Sequence, residues 1–117
     1  MNGTVLIVDD HPSFRATARM LLECEGWTVV GEAPDGLTGL REARRLRPAL
    51  VLLDVNLPDI DGFDVASRLT ADEDAPAVVL VSSRDARDFG PMVTSSGARG
   101  FVSKADLTGD ALRELVA

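Results

Sequence analysis

Leu50-Val51-Leu52-Leu53-Asp54 runs directly into Val55-Asn56-Leu57-Pro58-Asp59-Ile60-Asp61-Gly62, and this stretch decides the fold. A short unbroken apolar run closed by turn-forming residues reads as a strand covered on both faces, and an Asp at its end lies at the carboxyl edge of the sheet. Open α/β sheets bind their ligands along that edge. Taken singly, Asp54 reads better as a turn-starter or a helix cap. A second apolar run changes the balance, because Thr4-Val5-Leu6-Ile7-Val8 ends in Asp9-Asp10. Three carboxylates gathered at one edge repel one another and are costly to assemble unless a cation joins them.

Working back from this strand, Pro48 breaks a helix that Asp35 caps and that runs to about Arg47, with Leu37, Leu40, Ala43 and Leu46 inward. Its cluster of Arg41, Arg44, Arg45 and Arg47 reads as a solvated face near a helix C-terminus, where cations are favoured. Trp27 to Ala33 alternates enough to be an edge or near-edge strand. Before it, Asp9-Asp10-His11-Pro12 turns into a helix ending near Glu25. Pro12 suits a first helical turn, Phe14, Ala18, Leu21 and Leu22 recur at helical spacing, and Gly26 is a natural stop.

Working forward, a helix spans about Gly62 to Leu69 with Phe63, Val65, Ala66 and Leu69 as its apolar set. Ala77 to Val81 is a buried strand that ends in Ser82-Ser83. The next helix, within Ala86 to Ser96, contains Gly90 and Pro91, so it should be short, irregular or begun late at Pro91. Gly97 to Gly100 is a turn, Phe101-Val102-Ser103 a short strand ending at Lys104, and Thr108 opens a last helix through Leu112, Leu115 and Val116 to the end. Five strands alternating with five helices predict an α/β, doubly wound parallel sheet with right-handed crossovers and helices on both faces.

The chain's 117 residues make one domain, and 45% hydrophobic with 26% charged residues is ordinary for a globular protein. A net charge of -7, from 19 acidic against 12 basic residues, argues against direct nucleic-acid binding by this domain. No stretch is long enough to span a bilayer, and Met1-Asn2-Gly3 enters a strand without a signal-peptide pattern, so the expected location is cytoplasmic with no membrane partner. The single cysteine, Cys24, cannot form an internal disulfide and reads as a buried, inert thiol.

Every strand but the second finishes on a residue with chemistry: Asp9 and Asp10, Asp54, Ser82 and Lys104. If the first and third strands are neighbours at a switch point of the sheet, the three carboxylates share one crevice. An all-oxygen ligand set selects Mg²⁺, with Mn²⁺ or Ca²⁺ able to take its place, over zinc. His11 reads as pointing to solvent rather than to metal. A carboxylate, a divalent cation, a hydroxyl and an ammonium at one edge suit phosphoryl transfer, which needs an in-line nucleophile and positive charge around the equatorial oxygens. Asp54 as nucleophile forms an acyl phosphate and needs no general base. Mg²⁺ and Lys104 neutralise the transferred group from two sides, and Ser82 donates a hydrogen bond to a third oxygen. Singly, Ser82 reads as a helix cap and Lys104 as a solvated strand-end charge; their joint placement argues against coincidence.

These residues resemble the receiver domain of bacterial two-component response regulators over the whole chain. The resemblance rests on Asp9-Asp10 after the first strand, on Asp54 within Leu52-Leu53-Asp54-Val55-Asn56-Leu57-Pro58-Asp59-Ile60-Asp61-Gly62, on Ser82 after Val78 to Val81, and on Lys104 after Gly100-Phe101-Val102-Ser103. It implies a flavodoxin-like sheet of order 2-1-3-4-5, and Asp54 as the acceptor of phosphate from a sensor histidine kinase. It implies direct Mg²⁺ binding by Asp10 and Asp54 with the Asn56 backbone carbonyl, Asp9 acting mainly through water. Ser82 and Phe101 match the family's switch pair, and Asn56 and Arg84 the positions that tune phosphate lifetime. The implied readout is the surface of the fourth helix, fifth strand and fifth helix, which controls homodimerisation or an output domain in transcription regulation.

Residues 1–117 would then be the receiver, with any C-terminal output domain outside this chain. Such a domain is no enzyme beyond its own phosphorylation and autodephosphorylation. The family often places Pro after the strand-five Lys with a cis peptide; here Lys104-Ala105-Asp106-Leu107 stands instead, and a non-proline cis bond costs about 3 kcal/mol. With Gly97-Ala98-Arg99-Gly100-Phe101 before it, this ending is more similar to receivers that precede a helix-turn-helix output domain of the LuxR/NarL type. The alternative within the family is a stand-alone or phosphorylation-independent receiver acting as a protein-binding module. A phosphatase of the haloacid dehalogenase type would carry a second Asp where Asn56 stands. An FMN-binding flavodoxin would want a Ser/Thr/Gly-rich loop in place of Asp9-Asp10-His11-Pro12.

Overall fold

The apolar runs become the five strands of one parallel sheet: β1 Thr4–Val8, β2 Thr28–Ala33, β3 Leu50–Asp54, β4 Ala77–Ser82 and β5 Gly100–Ser103. The computed structural model describes residues 3–84 and 86–116. Strand order is 2-1-3-4-5, as expected for a doubly wound, flavodoxin-like sheet. The helices are α1 Pro12–Cys24, α2 Gly36–Leu46, α3 Gly62–Thr70, α4 Met92–Ser95 and α5 Gly109–Val116. The readings at Met1, Asn2 and Ala117, and the inward side chain of Val116, lie outside the described residues.

Strand β3 is buried from Leu50 to Asp54, which is why its sequence is a continuous apolar run rather than an alternating one. Its side chains feed two cores. Val51 and Leu53 join Leu6, Val8, Val78 and Leu80 beneath α2 and α3, while Leu50 and Leu52 join Val5, Ile7, Val79 and Val81 beneath α1 and α5. Edge strand β2 pairs with β1 alone and carries the polar Glu32 and Thr28 on exposed positions.

Helix phase differs from the pattern in three places. Cys24, read as buried, is exposed: it lies two residues, about 200° of helical rotation, beyond buried Leu22. Leu21 sits on the flank of the same helix while Ala18 and Leu22 take the buried face. In α2 the buried face is Gly36, Gly39, Leu40 and Ala43, so Leu37 is turned to solvent. The Gly90-Pro91 interruption leaves a single 3₁₀ turn at Ala86–Asp88 and an α4 of one turn beginning just after Pro91. A further 3₁₀ turn, Lys104–Asp106, follows β5 with every peptide trans among the described residues.

One helix start is held from outside. Asp35 Oδ1 accepts from Thr38 N–H at 2.7 Å, while the two oxygens of Asp59, in the loop after β3, accept from Gly36 and Leu37 N–H at 2.8 and 2.9 Å. Slight desolvation works to raise the Asp59 pKa, but the Leu37 and Gly36 N–H groups win and hold it below the ordinary 3.8. Asp59→Ala should therefore cost about 1 kcal/mol at neutral pH, the usual value of an N-terminal cap. Because the folded pKa is depressed, the contribution is present above the unfolded pKa and is lost as pH falls through the folded one. Urea unfolding of both proteins at neutral and at acid pH measures this, and a penalty that persists in acid would contradict it.

Candidate functional site

Register brings the strand ends to one level. Val8 pairs with Leu53, Asp54 with Val81 and Ser82 with Ser103, so Asp9, Asp54, Ser82 and Lys104 fall within about one residue of the same line. Between β1 and β3 the chain order reverses, and the crevice there receives the acidic side chains. Asp9 and Asp54 are 0% and 2% exposed. One oxygen from each of Asp9, Asp10 and Asp54, together with a His11 ring nitrogen, lies within 4.8 Å of the others.

Asp9 is held on every side. Its N–H donates to Ala33 C=O at 3.0 Å, its Oδ1 accepts from His11 N–H at 2.7 Å, and its Oδ2 lies 2.7 Å from Lys104 Nζ. Lys104 Nζ also stands 3.6 Å from Asp54 Oδ2 and 4.4 Å from the centre of the Phe14 ring. One ammonium thus faces two buried carboxylates, with an aromatic face behind it. The His11 ring is 60% exposed, yet its Nδ1 turns back to Asp9 and Asp10 at 3.0 and 3.1 Å. The expectation that His11 simply points to solvent is corrected accordingly: the tight turn after Asp9, closed by the His11 N–H bond, brings the imidazole over the carboxylates.

Asp54 Oδ1 accepts from Asn56 N–H at 3.2 Å. Burial, then repulsion from Asp9, raises the Asp54 pKa from 3.8 to about 6, against the pull of Lys104 and of that N–H. The folded Mg²⁺-free protein therefore holds a proton that the unfolded chain has lost between about 6 and 3.8, and its stability falls as pH rises through that window. Asp54→Asn removes this penalty. At full strength it is about 3 kcal/mol, reduced to about 1–2 kcal/mol by solvent screening. In chelator, the variant should unfold at higher urea than wild type at neutral pH, with the gap closing below the window; a gap that widened in acid would contradict the account.

Asp9 Oδ2, Asp10 Oδ1 and Asp54 Oδ2 are shut from solvent without a well-aligned hydrogen-bond donor. Lys104 Nζ at 2.7 Å offsets the Asp9 charge, while Asp10 Oδ1 has the His11 ring nitrogen at 3.1 Å and Asp54 Oδ2 has Lys104 only at 3.6 Å. Buried oxygens that lack donors and converge within a few ångströms are suited to a hard divalent cation, and the three carboxylates, with His11 at their exposed side, fit Mg²⁺.

Ser82 is 1% exposed, and its Oγ accepts from Arg84 N–H at 3.1 Å. Arg84 is exposed, with its guanidinium 3.6 Å from Asp88 and 5.2 Å from the centre of the Phe89 ring. Phe101 is half-buried, 5.7 Å from Phe89, which in turn meets Phe63 at 5.5 Å. Phe89 was not singled out in the sequence because it sits in the irregular segment before α4. Arg15 was also missed: from α1 its Nη1 donates to the Asp9 carbonyl at 2.6 Å, and its Nε to Glu32 at 3.1 Å.

A family model of the response regulator receiver domain matches residues 5–117. The chain belongs to that family. This receiver is similar to a Pseudomonas aeruginosa protein named as a transcriptional regulator, 42% identical over 102 residues, 87% of the chain and 49% of the relative. BvgA of Bordetella pertussis, named as a positive transcription regulator of virulence factors, is 40% identical over 104 residues, 89% of the chain and 50% of the relative. Among solved structures, the signal receiver domain of NarL from Mycobacterium tuberculosis superposes with a TM-score of 0.89 at 32% identity, covering 98% of this chain and 96% of that one. The receiver spans about half the length of the curated relatives it matches. Receivers are signalling modules of two-component systems rather than metabolic enzymes. No helix among the described residues is long and apolar enough to cross a membrane.

Proposed function

We propose that this receiver acts in the cytoplasm and takes a phosphoryl group from a sensor histidine kinase onto Asp54, with Mg²⁺ bound by Asp10, Asp54 and the Asn56 carbonyl and with Asp9 acting through water. The observation that carries the reading is the convergence of Asp9, Asp10 and Asp54 at the switch point, with Lys104 reaching two of them. Bound Mg²⁺ would supply charge neutralisation on the transferred group.

Asp54 attacks phosphorus with a carboxylate oxygen; the O–P bond forms as the donor's N–P bond breaks, and the imidazole nitrogen leaves with the electron pair. At neutral pH the raised pKa of about 6 leaves Asp54 ionised and more basic than an ordinary carboxylate. Lys104 is placed to balance the added charge, roughly -1.5 to -2. Ser82, whose Oγ accepts from Arg84 N–H, would donate its own O–H to a phosphoryl oxygen, moving the loop after β4 inward and making room for Phe101. That movement alters the α4, β5 and α5 surface, which we assign to dimerisation or to an output domain of the transcription-regulating kind. Arg84 and Asn56 at the mouth of the site would set how long the phosphate lasts.

Acetyl phosphate with Mg²⁺, followed by intact-protein mass measurement, tests the reading. Wild type should gain one phosphoryl group and Asp54→Asn none. No gain in wild type would overturn it, and sustained turnover of the donor would favour a phosphatase.

A further inference from the structure

The guanidinium of Arg15 holds the peptide that joins Asp9 to Asp10. We propose that Arg15, held in turn by Glu32, is a positioning residue that sets the affinity of the acidic crevice for Mg²⁺. The inference rests on the metal reading above and extends it to an element outside the crevice.

The Asp9 carbonyl belongs to the same planar unit as the Asp10 N–H and Cα, so holding that oxygen fixes the N–Cα bond that carries the Asp10 side chain and narrows where its carboxylate can lie. Arg15 Nη1 supplies the hold at 2.6 Å. On the same planar fork, Nε donates to Glu32 Oε1 at 3.1 Å, and the other Glu32 oxygen accepts from Arg19 Nε at 2.8 Å. Glu32 lies on β2 opposite Ile7 of β1, so the edge strand braces the loop that carries the acidic pair. The Arg15 side chain is only 18% exposed, unlike an ordinary surface pair. A lysine could not engage both acceptors in this geometry, because the bridge needs a rigid fork.

A charge effect and a positioning effect have opposite signs here. Were Arg15 only a nearby cation, removing it would tighten Mg²⁺ binding by lifting repulsion. If it orients Asp10, removing it weakens binding even though repulsion falls, and lysine, with the charge kept, weakens it too.

Isothermal titration of Mg²⁺ into the whole chain at neutral pH reads the difference. Arg15→Gln and Arg15→Lys should each weaken binding about tenfold, as loss of outer support for metal ligands does. Glu32→Gln should weaken it as well, through its lost charge and the freed fork together, and the Arg15→Gln/Glu32→Gln double variant, in which the two charge changes offset, should bind about as weakly as Arg15→Gln alone, because the positioning runs through one contact. Urea unfolding in chelator checks that each variant folds, and Arg15→Lys, which keeps the charge and loses the fork, keeps the test open if Arg15→Gln does not. Binding equal to wild type in Arg15→Lys, or equal or tighter in Arg15→Gln, overturns the proposal. Wild type that binds no Mg²⁺ overturns the metal reading and this inference together, whereas normal wild-type binding with unaffected variants overturns only the inference.

Discussion

Lys104→Met is expected to destabilise the Mg²⁺-free domain by about 3 kcal/mol at neutral pH, as expected when one partner of a buried ion pair is removed. Nζ lies 2.7 Å from Asp9 Oδ2 and 3.6 Å from Asp54 Oδ2, and Asp9 has no solvent to turn to. Methionine fills similar space and packs well against an aromatic ring such as Phe14, so the loss isolates the charge. Lys104 also pulls the Asp54 pKa down, so its removal pushes that group further above about 6. The variant then gains stability as pH falls, because the folded state takes up a proton the unfolded chain lacks. Urea unfolding across pH should show the deficit shrinking in acid. The same substitution should slow phosphorylation by acetyl phosphate about a hundredfold, the usual loss when one preorganised charge is removed from a transition state. A variant as stable as wild type at neutral pH would mean that Asp9 and Asp54 are compensated otherwise.

Gly62→Ala is expected to cost about 3 kcal/mol, in the range of substitutions that force backbone to move in a packed interior. Gly62 opens α3, and its N–H donates to the Val55 carbonyl at 2.9 Å, folding the helix start back under the end of β3. A Cβ there would fall against the Asp54 carbonyl oxygen and within 2.7 Å of Val55 Cα, both backbone atoms with no freedom to swing aside. The Asp54–Val55 peptide must therefore shift, and with it the carboxylate and the Asn56 backbone beside it. Thermal unfolding should show the loss, and Mg²⁺ titration should show weaker binding in the fraction that folds. Wild-type stability would contradict the close approach.

The features that sequence revealed are those written in neighbouring residues. The burial of β3 on both faces shows as an unbroken apolar run, and the Asp that ends it needs only strand order to be placed. The irregular fourth helix was visible at Gly90-Pro91, because each residue opposes a helix by its own backbone. Helix phase was less legible at the margins: Cys24, Leu21 and Leu37 each sit beside a buried position, and which of two adjacent apolar residues faces in depends on how the helix meets the sheet. Contacts across long separations could not be read at all. Asp59 caps α2 from 23 residues away, and Arg15 meets Glu32 from 17 residues away, through a β1–β2 register that no local pattern encodes. In a linear reading both look like solvated charges.

That Asp54, gathered with Asp9 and Asp10 around a divalent cation, is the residue that carries phosphate is tested most directly by reducing the phosphorylated protein with borohydride. This chemistry converts an aspartyl phosphate to homoserine at the modified position. After acetyl phosphate treatment, peptide sequencing should find homoserine at position 54 alone, in Mg²⁺ and not in chelator. Conversion at position 9 or 10, a phosphate retained on His11, or equal modification without Mg²⁺ would contradict it.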